Sequence, residues 1–349
     1  MRPKHLATMA TVSLVLVGLC GIILSAPAAP QVEAARDVLY CASCGEQITG
    51  EYVSALGKYW HPEHFVCANC RTPLAEATFY EKDGRPYCQS CYEDLFLPHC
   101  CICGRPIRSA YIENVWGDVY CKKHEHEFQT CFSCGRLICG SLTGGGLTHD
   151  DGRHMCSLCG RTAVYRVEDG EVVLDEVRRA MKVLGLDLRS ASIPLRMVSL
   201  EDLREGRARD LSGHISTSVW TRGGKVTERK IEAVSILYGL PREHFAAVAA
   251  HELMHAWLFL ENYPELPLHV EEGLAELSSY LWLQQLGTPE AAYRMRAMES
   301  NDDPVYGYGL RLALKSCRQV PLDKLLGYIK RQRRFPVEVQ QGVEIERRL

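Results

Sequence analysis

Residues 240–276 read LPREHFAAVAAHELMHAWLFLENYPELPLHVEEGLAE, and this stretch decides how the second half of the chain folds. After its first proline, the run 241–260 contains no proline or glycine and is rich in alanine and leucine, which predicts a helix. A helix brings residues four apart onto one face, so His251 and His255 can bind one metal ion together. Glu252 lies one step round the helix, where its carboxylate can act as a general base toward water at that metal.

A second helix, predicted over residues 266–287 and ended by Gly287, supplies an acidic third ligand. The segment EGLA that begins at Glu272 resembles the third-ligand segment of gluzincins, the zinc peptidases in which a glutamate completes the metal site, and this favours Glu272. Glu271 points about 100° away on the same helix. Glu276 lies one turn further on, where it can orient a ligand histidine. Both stay open as alternatives.

The composition is that of a globular protein without an electrostatic attraction to nucleic acid. The chain has 349 residues, 46% hydrophobic and 24% charged, which is enough for two or three domains. Its formal net charge is −3. Between residues 41 and 160, 14 acidic residues outnumber 10 lysine and arginine residues, which argues against a DNA-binding surface there. We therefore expect protein partners and no nucleic acid.

The N-terminal segment has the pattern of an export signal. Arg2 and Lys4 precede an apolar run over residues 6–24, and SAPAAP follows it. A basic start, an apolar run and small residues are typical of a signal peptide, and the run is also long enough to span a bilayer uncleaved. We predict a signal peptide or a transmembrane anchor over residues 1–30. The chain is then secreted or periplasmic, or anchored with its bulk outside the cytoplasm.

Residues 41–159 contain eight pairs of cysteine or histidine, and in every pair two residues separate the members. This spacing forms a knuckle that presents two donors at two corners of a tetrahedron, which favours four structural zinc ions over disulfides. Cys101, next to Cys100, leaves a one-residue ambiguity at the fifth pair. The sixteen predicted ligands are Cys41, Cys44, His61, His64, Cys67, Cys70, Cys88, Cys91, Cys100, Cys103, Cys121, His124, Cys131, Cys134, Cys156 and Cys159.

The first four pairs resemble a LIM domain, predicted over residues 39–97. WHPEHF at residues 60–65 and the closing knuckle YCQSCY at residues 87–92 carry this resemblance. The second four pairs form a degenerate LIM-like domain over residues 98–162, in which six residues instead of two separate the second and third pairs. We expect zinc to stabilise these small domains and their surfaces to bind protein partners.

Residues 165–349 are predicted to form an α+β domain. An amphipathic helix covers residues 169–188, and IPLRMVSL, HISTSVWTR and KIEAVSILYGL are predicted strands, the last two joined by a turn at Gly223 and Gly224. An edge strand of this sheet can pair with an extended substrate. Both ISTSVW and EAVSIL are candidates, and both are equally compatible with core strands.

Further helices are predicted around residues 289–300, 308–317 and 323–331, with a loop over residues 301–307. Either Tyr306 or Tyr308 can stabilise an oxyanion if this loop returns to the metal site. The competing interpretation is that a loop tyrosine only packs. His244 and His269 are weaker candidates for lining the cleft.

Zinc modules followed by AVSILYGLP, HELMHAW, VEEGLAE, DDPVYGYGLR and RRFPV resemble, over residues 41–337, the plant ubiquitin-activated LIM-domain peptidases. The resemblance implies an α+β fold of tandem LIM-like modules followed by a zincin-type (gluzincin) metallopeptidase domain. It also implies an endopeptidase acting on proteins, with His251, His255 and Glu272 on one catalytic zinc and Glu252 as base. The ubiquitin-interacting segments of the plant proteins are not found here, so ubiquitin activation is not implied. The alternative is a noncatalytic LIM adaptor with a zincin-like scaffold.

Overall fold

The computed structural model describes residues 38–188, 191–205 and 212–337. The described residues form two compact units, with the division between residues 124 and 125. Three of the predicted zinc clusters belong to the first unit, and the fourth belongs to the second unit together with the metal helix. The boundary predicted at residues 162–165 therefore lies within the second unit.

The first unit consists of short two-stranded hairpins beside clustered cysteine and histidine side chains. Its apolar core is small: Phe65, Leu74 and Phe79 are buried, and the rings of Phe65 and Phe79 lie 5.0 Å apart, edge to face. A core of this size needs additional stabilisation, which zinc supplies in such domains. The elements are β1 (Val53–Ala55), β2 (Lys58–Trp60), β3 (Tyr80–Lys82), β4 (Arg85–Tyr87), α1 (Gln89–Phe96), β5 (Tyr111–Glu113) and β6 (Val119–Cys121), with short 3-10 helices at Pro62–His64 and Lys122–His126.

The second unit combines a small sheet with long helices, and this mixture confirms the coarse α+β class. The gluzincin assignment stays a prediction. The elements are α2 (Gly140–Thr143), β7 (Gly146–Thr148), β8 (His154–Cys156), α3 (Ser157–Gly160), β9 (Ala163–Val164), α4 (Val167–Val183), β10 (Leu195–Val198), α5 (Leu200–Glu205), β11 (Gly213–Arg222), β12 (Lys225–Leu237), β13 (Leu240–Pro241), α6 (Arg242–Leu260), α7 (Leu268–Leu286), α8 (Pro289–Glu299), α9 (Tyr306–Cys317) and α10 (Leu322–Gln332).

The main sheet has three strands, with β12 between β10 and β11. β10 runs parallel to β12, and β11 runs antiparallel to it. The predicted turn between β11 and β12 is present, and its Gly223 and Gly224 have φ angles of 58° and 76°, which glycine adopts without strain. Of the two candidate edge strands, ISTSVW lies in the edge strand β11 and EAVSIL lies in the central strand β12.

Helix α6 is the centre of the second unit, because its buried residues lie on every face of the helix. It begins at Arg242, directly after Pro241 and one residue later than predicted. Helix α7 packs against α6 and ends at Gly287, whose φ of 64° fits the predicted glycine cap. The sheet and α4 cover other parts of α6. The two histidines of α6 are thus held by a rigid, packed element.

Helices α7 and α9 approach each other through two glycines. A Cβ atom placed on Gly273 would lie 2.6 Å from the carbonyl carbon of Gly309, well inside van der Waals contact. The absence of side chains at this crossing lets the two backbones touch. Since Gly273 follows Glu272 directly, this close contact also fixes the position of Glu272, the predicted third ligand, relative to α9.

The prediction of a transmembrane or secreted protein is wrong. Among the helices of the described residues, none is both long enough and apolar enough to span a bilayer. The predicted signal peptide or anchor, residues 1–30, lies outside the described residues.

Candidate metal centre

Each of the four predicted cysteine and histidine clusters has its four donor atoms within 4.8 Å of one another. All sixteen cysteines of the described residues are free thiols. Burial alone would raise the pKa of Cys41, but the backbone N–H groups of Cys44, His61 and Ser43 lower it to about 6. A lowered pKa favours the thiolate that a zinc ligand must be. These donor sets of sulfur and imidazole nitrogen match structural zinc sites.

A fifth cluster forms where α6 and α7 pack together. Helix α6 presents His251 and His255 one turn apart, with their Nε2 atoms 3.2 Å from each other. Glu272 of α7 places its Oε2 atom 3.1 Å from Nε2 of His251 and 3.5 Å from Nε2 of His255. The three donor atoms lie within 4.8 Å of one another. Two imidazoles and one carboxylate are a donor set of catalytic zinc sites, which keep a further position for water or substrate.

The outer nitrogens of both histidines contact carboxylates. Nδ1 of His251 lies 3.1 Å from Oε1 of Glu276, and Nδ1 of His255 lies 3.2 Å from Oε1 of Glu271. An ionised carboxylate only accepts hydrogen bonds, so each Nδ1 donates its hydrogen and each neutral ring keeps the Nε2 lone pair for a metal. Glu276 thus lies where it can orient His251, which is the alternative role that the sequence suggests for this residue. Glu271 lies in the equivalent place beside His255, away from the Nε2 atoms.

Without metal, these contacts favour protons on the histidines. Burial opposes a charged ring, but hydrogen bonds with Glu272 and Glu276 raise the pKa of His251 well above its usual value. Burial also lowers the pKa of His255, but hydrogen bonds with Glu271 and Glu272 have the larger effect and raise this pKa to about 9. At Glu272, hydrogen bonds with both histidines overcome burial and lower the pKa to about 2. The carboxylates of the cluster therefore stabilise positive charge at the two histidines.

Glu252 lies beside this cluster, buried, with 7% of its surface exposed. Burial raises the pKa of its carboxyl group. A raised pKa suits a group that must accept a proton and then donate it near neutral pH. Gly213 of β11 packs directly against it, because a Cβ atom on Gly213 would lie 2.8 Å from Oε1 of Glu252. The edge strand therefore holds the carboxylate of Glu252 in place.

The structure brings one of the two candidate tyrosines to the cluster. The ring of Tyr306 lies 6.3 Å from the ring of His251, nearly parallel to it, and Tyr306 lines the surrounding cavity. Tyr308 instead contacts His269, with ring centres 5.8 Å apart, and neither lines this cavity. His244 does line it. The position of Tyr306 is compatible with the oxyanion role predicted for it.

The cavity around the cluster has a volume of about 870 Å³. Its walls include α6, α7, α8, the start of β11 and the loop between the predicted zinc ligands Cys131 and Cys134. Sequence reasoning missed this loop, because the two-residue spacing that identifies a zinc knuckle says nothing about which surface the knuckle covers. The lining residues missed for this reason, or because they lie on distant elements, are Phe132, Ser133, Gly213, His214 and Arg294.

Known protein families match two parts of the chain. The family profile "LIM domain" matches residues 41–96, and the family profile "Protein DA1" matches residues 177–300. The second match includes the fifth cluster and most of the cavity wall. The chain therefore contains a LIM domain and a DA1-like domain.

Two of the similar proteins come from plants. The chain is 31% identical over 299 residues to LIM domain-containing protein HDR3 of Oryza sativa subsp. japonica, which covers 74% of this chain and 59% of that protein. It is 26% identical over 370 residues to Protein DA1 of Arabidopsis thaliana, covering 86% and 69%. A shorter match, 37% identical over 116 residues, covers 33% of this chain and 19% of Paxillin-B of Dictyostelium discoideum. The chain is thus homologous to plant DA1 and HDR3, and it spans less than two thirds of the length of HDR3.

Proposed function

We propose that the chain is a zinc-dependent endopeptidase that hydrolyses peptide bonds of protein substrates. The observation that carries this proposal is the convergence of the donor atoms of His251, His255 and Glu272 beside the buried carboxylate of Glu252. A metal site that only stabilises the fold has no need of a further buried carboxylate, and burying one costs free energy. A general base beside a catalytic metal accounts for it.

The residues of α6 and α7 have distinct roles in this reaction. Zinc bound by His251, His255 and Glu272 would act as a Lewis acid and lower the pKa of water in the site. Glu252 accepts a proton from the attacking water and then donates it to the leaving amine of the substrate. The carboxylates that contact the two Nδ1 atoms hold the imidazole rings in position.

Two further features serve the substrate. Tyr306, beside His251, donates a hydrogen bond to the oxyanion that forms at the scissile carbonyl group. The edge strand β11 binds the extended substrate backbone as an additional strand, and its residues Gly213 and Ile215 line the cavity. An edge strand leaves its outer N–H and C=O groups available for such pairing.

We further propose that the LIM region recruits protein substrates or protein regulators. The match to the LIM family and the similarity to proteins named for LIM domains support this role. The acidic excess of residues 41–160 also favours proteins over nucleic acid as the partners.

A broad peptide library digested by the full chain tests the proposal. We expect new peptide termini, detected by mass spectrometry, with the zinc-loaded protein. We expect none with a His251→Ala variant that retains the four structural zinc ions, because the fifth cluster then lacks a ligand. If the zinc-loaded protein left the whole library intact, the proposal would be contradicted.

The LIM match also favours a second candidate, a noncatalytic adaptor that binds proteins through its LIM region. An adaptor is expected to bind partners equally well with or without an intact fifth cluster and to cleave none of them. Peptide cleavage that disappears with His251→Ala distinguishes the peptidase from the adaptor.

A further inference from the structure

The cavity is electrostatically polarised. At the metal end, carboxylates of α6 and α7 line it: Glu252, Glu271, Glu272 and Glu276. Arg294 of α8 and the loop of the fourth cysteine cluster also line it, next to His244, which lies about two helical turns from His251 along α6. Among the described lining residues, Arg294 of α8 is the one arginine or lysine. A peptide in the cavity therefore meets negative charge at the metal site and one positive charge about two helical turns away from it.

Arg294 is held rigidly and has no carboxylate partner. Its Nη2 atom donates to the hydroxyl oxygen of Ser133 at 2.6 Å and to the backbone carbonyl oxygen of Ser133 at 3.3 Å. Its Nε atom is buried and has no hydrogen-bond partner in the part of the chain that the structure describes. Within the same part, no aspartate or glutamate lies within ion-pair distance of Arg294, although Glu243 favours its charge at longer range. The guanidinium can therefore form an ion pair with an anion that enters the cavity.

His244 and Phe132, which lie next to Ser133 at this end of the cavity, carry no charge. Burial and the nearby Arg294 lower the pKa of His244, so its ring is uncharged at neutral pH, and its Nδ1 atom lies 3.1 Å from the hydroxyl oxygen of Ser133. The ring of Phe132 lies nearly parallel to that of His244. Burial lowers the pKa of Arg294 as well, but a guanidinium keeps its proton at neutral pH. The guanidinium is buried, and charges interact more strongly in a buried site than in water.

A competing explanation is that Arg294 only balances the charge of the nearby tetrathiolate cluster. Cys159 and Cys134 do favour the charged guanidinium. Zinc takes only one lone pair from each thiolate, so the tetrathiolate keeps negative charge when it holds zinc, but Arg294 donates its hydrogen bonds to Ser133 and not to these sulfurs. The tetrathiolate therefore explains why the charge is tolerated, and it does not explain why the guanidinium lines the cavity.

We propose that Arg294, held by Ser133, forms a subsite that binds a carboxylate of the substrate. The inference rests on the proposed peptidase function, because it assigns a substrate class to the same cavity. The carboxylate comes either from an aspartate or glutamate side chain near the scissile bond or from the free C-terminus of the peptide. A guanidinium recognises both by the same planar, charge-assisted hydrogen bonds.

Binding of paired hydroxamate probes to the zinc-loaded full chain tests this subsite without requiring cleavage. The probes are tripeptides with a hydroxamate at the N-terminal or the C-terminal end, which anchors them at the metal. One arm compares glutamate with glutamine at each position, and a second arm compares a free C-terminal carboxylate with an amide. We expect at least one charged probe to bind about 10-fold more tightly than its neutral partner, as a charge-assisted hydrogen bond gives. The arm that shows the difference identifies the source of the carboxylate.

Substitutions on α8 test whether Arg294 causes the difference in binding between charged and neutral probes. Arg294→Met should abolish the difference between charged and neutral probes while leaving the neutral probes unaffected, and Arg294→Lys should retain part of it. Arg296→Met, which removes an exposed cation from the same helix, serves as the matched control and should preserve the difference.

Three results would overturn the subsite: equal binding within every probe pair, a difference that survives Arg294→Met, or no binding of any probe. The comparison within the unsubstituted chain stands even if Arg294→Met does not fold. A preserved difference in a protein that cleaves no peptide would refute the proposed function and leave the subsite in place.

Discussion

At the scale of single residues, the two nitrogens of each metal-site histidine have separate tasks. The Nε2 atoms of His251 and His255 face Glu272 and each other, while their Nδ1 atoms face Glu276 and Glu271. This division fixes the tautomer of each neutral ring. It explains why three glutamates occur within six residues of α7, a pattern that would otherwise be read as an ordinary acidic surface.

Zinc binding at this cluster should release protons at neutral pH. Carboxylate contacts raise the pKa of His255 to about 9, so its ring carries a proton at pH 7 without metal, and they raise the pKa of His251 well above its usual value. A ligand ring must be neutral, and zinc therefore displaces these protons. The apparent affinity should rise with pH up to about 9. Calorimetry of zinc binding in buffers of different ionisation enthalpy measures the release, and an affinity independent of pH between 6 and about 9 would contradict it.

The outer carboxylates should matter nearly as much as the ligands. We expect Glu276→Gln and Glu271→Gln to weaken zinc binding at the fifth cluster by about 10- to 100-fold, because each loses a charged acceptor for an Nδ1 hydrogen. Glu265→Gln, at an exposed position between α6 and α7, is the control and should have no effect. Competition with a zinc indicator measures the affinities. Unchanged affinity in both variants would show that the carboxylates do not orient the rings.

At the scale of elements, the crossing of α7 and α9 positions the third ligand. Gly273→Ala would place a Cβ atom 2.6 Å from the backbone of Gly309, so the helices must separate. We expect a loss of about 1–3 kcal/mol in the free energy of unfolding. Zinc binding should weaken as well, because Glu272 moves with the helix. Denaturant unfolding of the full chain followed by tryptophan fluorescence measures the change.

Gly327→Ala in α10 is the matched control, because a Cβ atom there meets only one side-chain atom at 3.6 Å. Alanine is the better helix former, so this variant should be more stable by about 0.5–1 kcal/mol. If both variants behaved alike, the crossing would not be the close contact described above.

The elements around the site could largely be predicted from the sequence. The helices carrying His251 and Glu272 follow from composition, proline and glycine positions, and the β11–β12 turn follows from its two glycines. Hydrophobic patterns could not decide which strand lies at the edge, because both strands carry β-branched residues and only the pairing partners distinguish them. The contact of Gly213 with Glu252 was unpredictable for a similar reason, since it joins elements that have no local sequence relation.

At the scale of the whole molecule, the last zinc knuckle is part of the unit that contains the metal helix. Ser133 contacts His244, and Arg153 donates from Nη2 to the backbone oxygen of Tyr238 at 2.9 Å, while its guanidinium lies over the ring of Phe132. The two-residue spacing predicts that this knuckle binds zinc and places it in a second LIM-like domain over residues 98–162. Ligand spacing reports only local geometry, whereas membership of a unit depends on long-range packing.

Two truncated fragments that differ only by this knuckle should therefore differ in their rate of peptide cleavage. We expect residues 125–349 to fold and to cleave small peptides like the full chain. Residues 161–349 lack a wall of the cavity and should be slower by about 100-fold, because misplacing a substrate by about 1 Å has an effect of that size. Peptide cleavage rates at equal zinc content at the fifth cluster measure the difference. Equal rates for the two fragments would show that the knuckle does not shape the cavity.

The most direct measurement of the central claim is the peptide cleavage rate of Glu252→Gln at unchanged zinc content. Glutamine keeps the size of the side chain and cannot accept a proton from water, and Glu252 is not among the predicted ligands. We expect all bound zinc to remain and the rate to fall by about 100- to 10,000-fold, the range for loss of a general base. A variant that keeps its zinc and cleaves peptides as fast as the unsubstituted chain would contradict the assignment of Glu252 and the mechanism built on it.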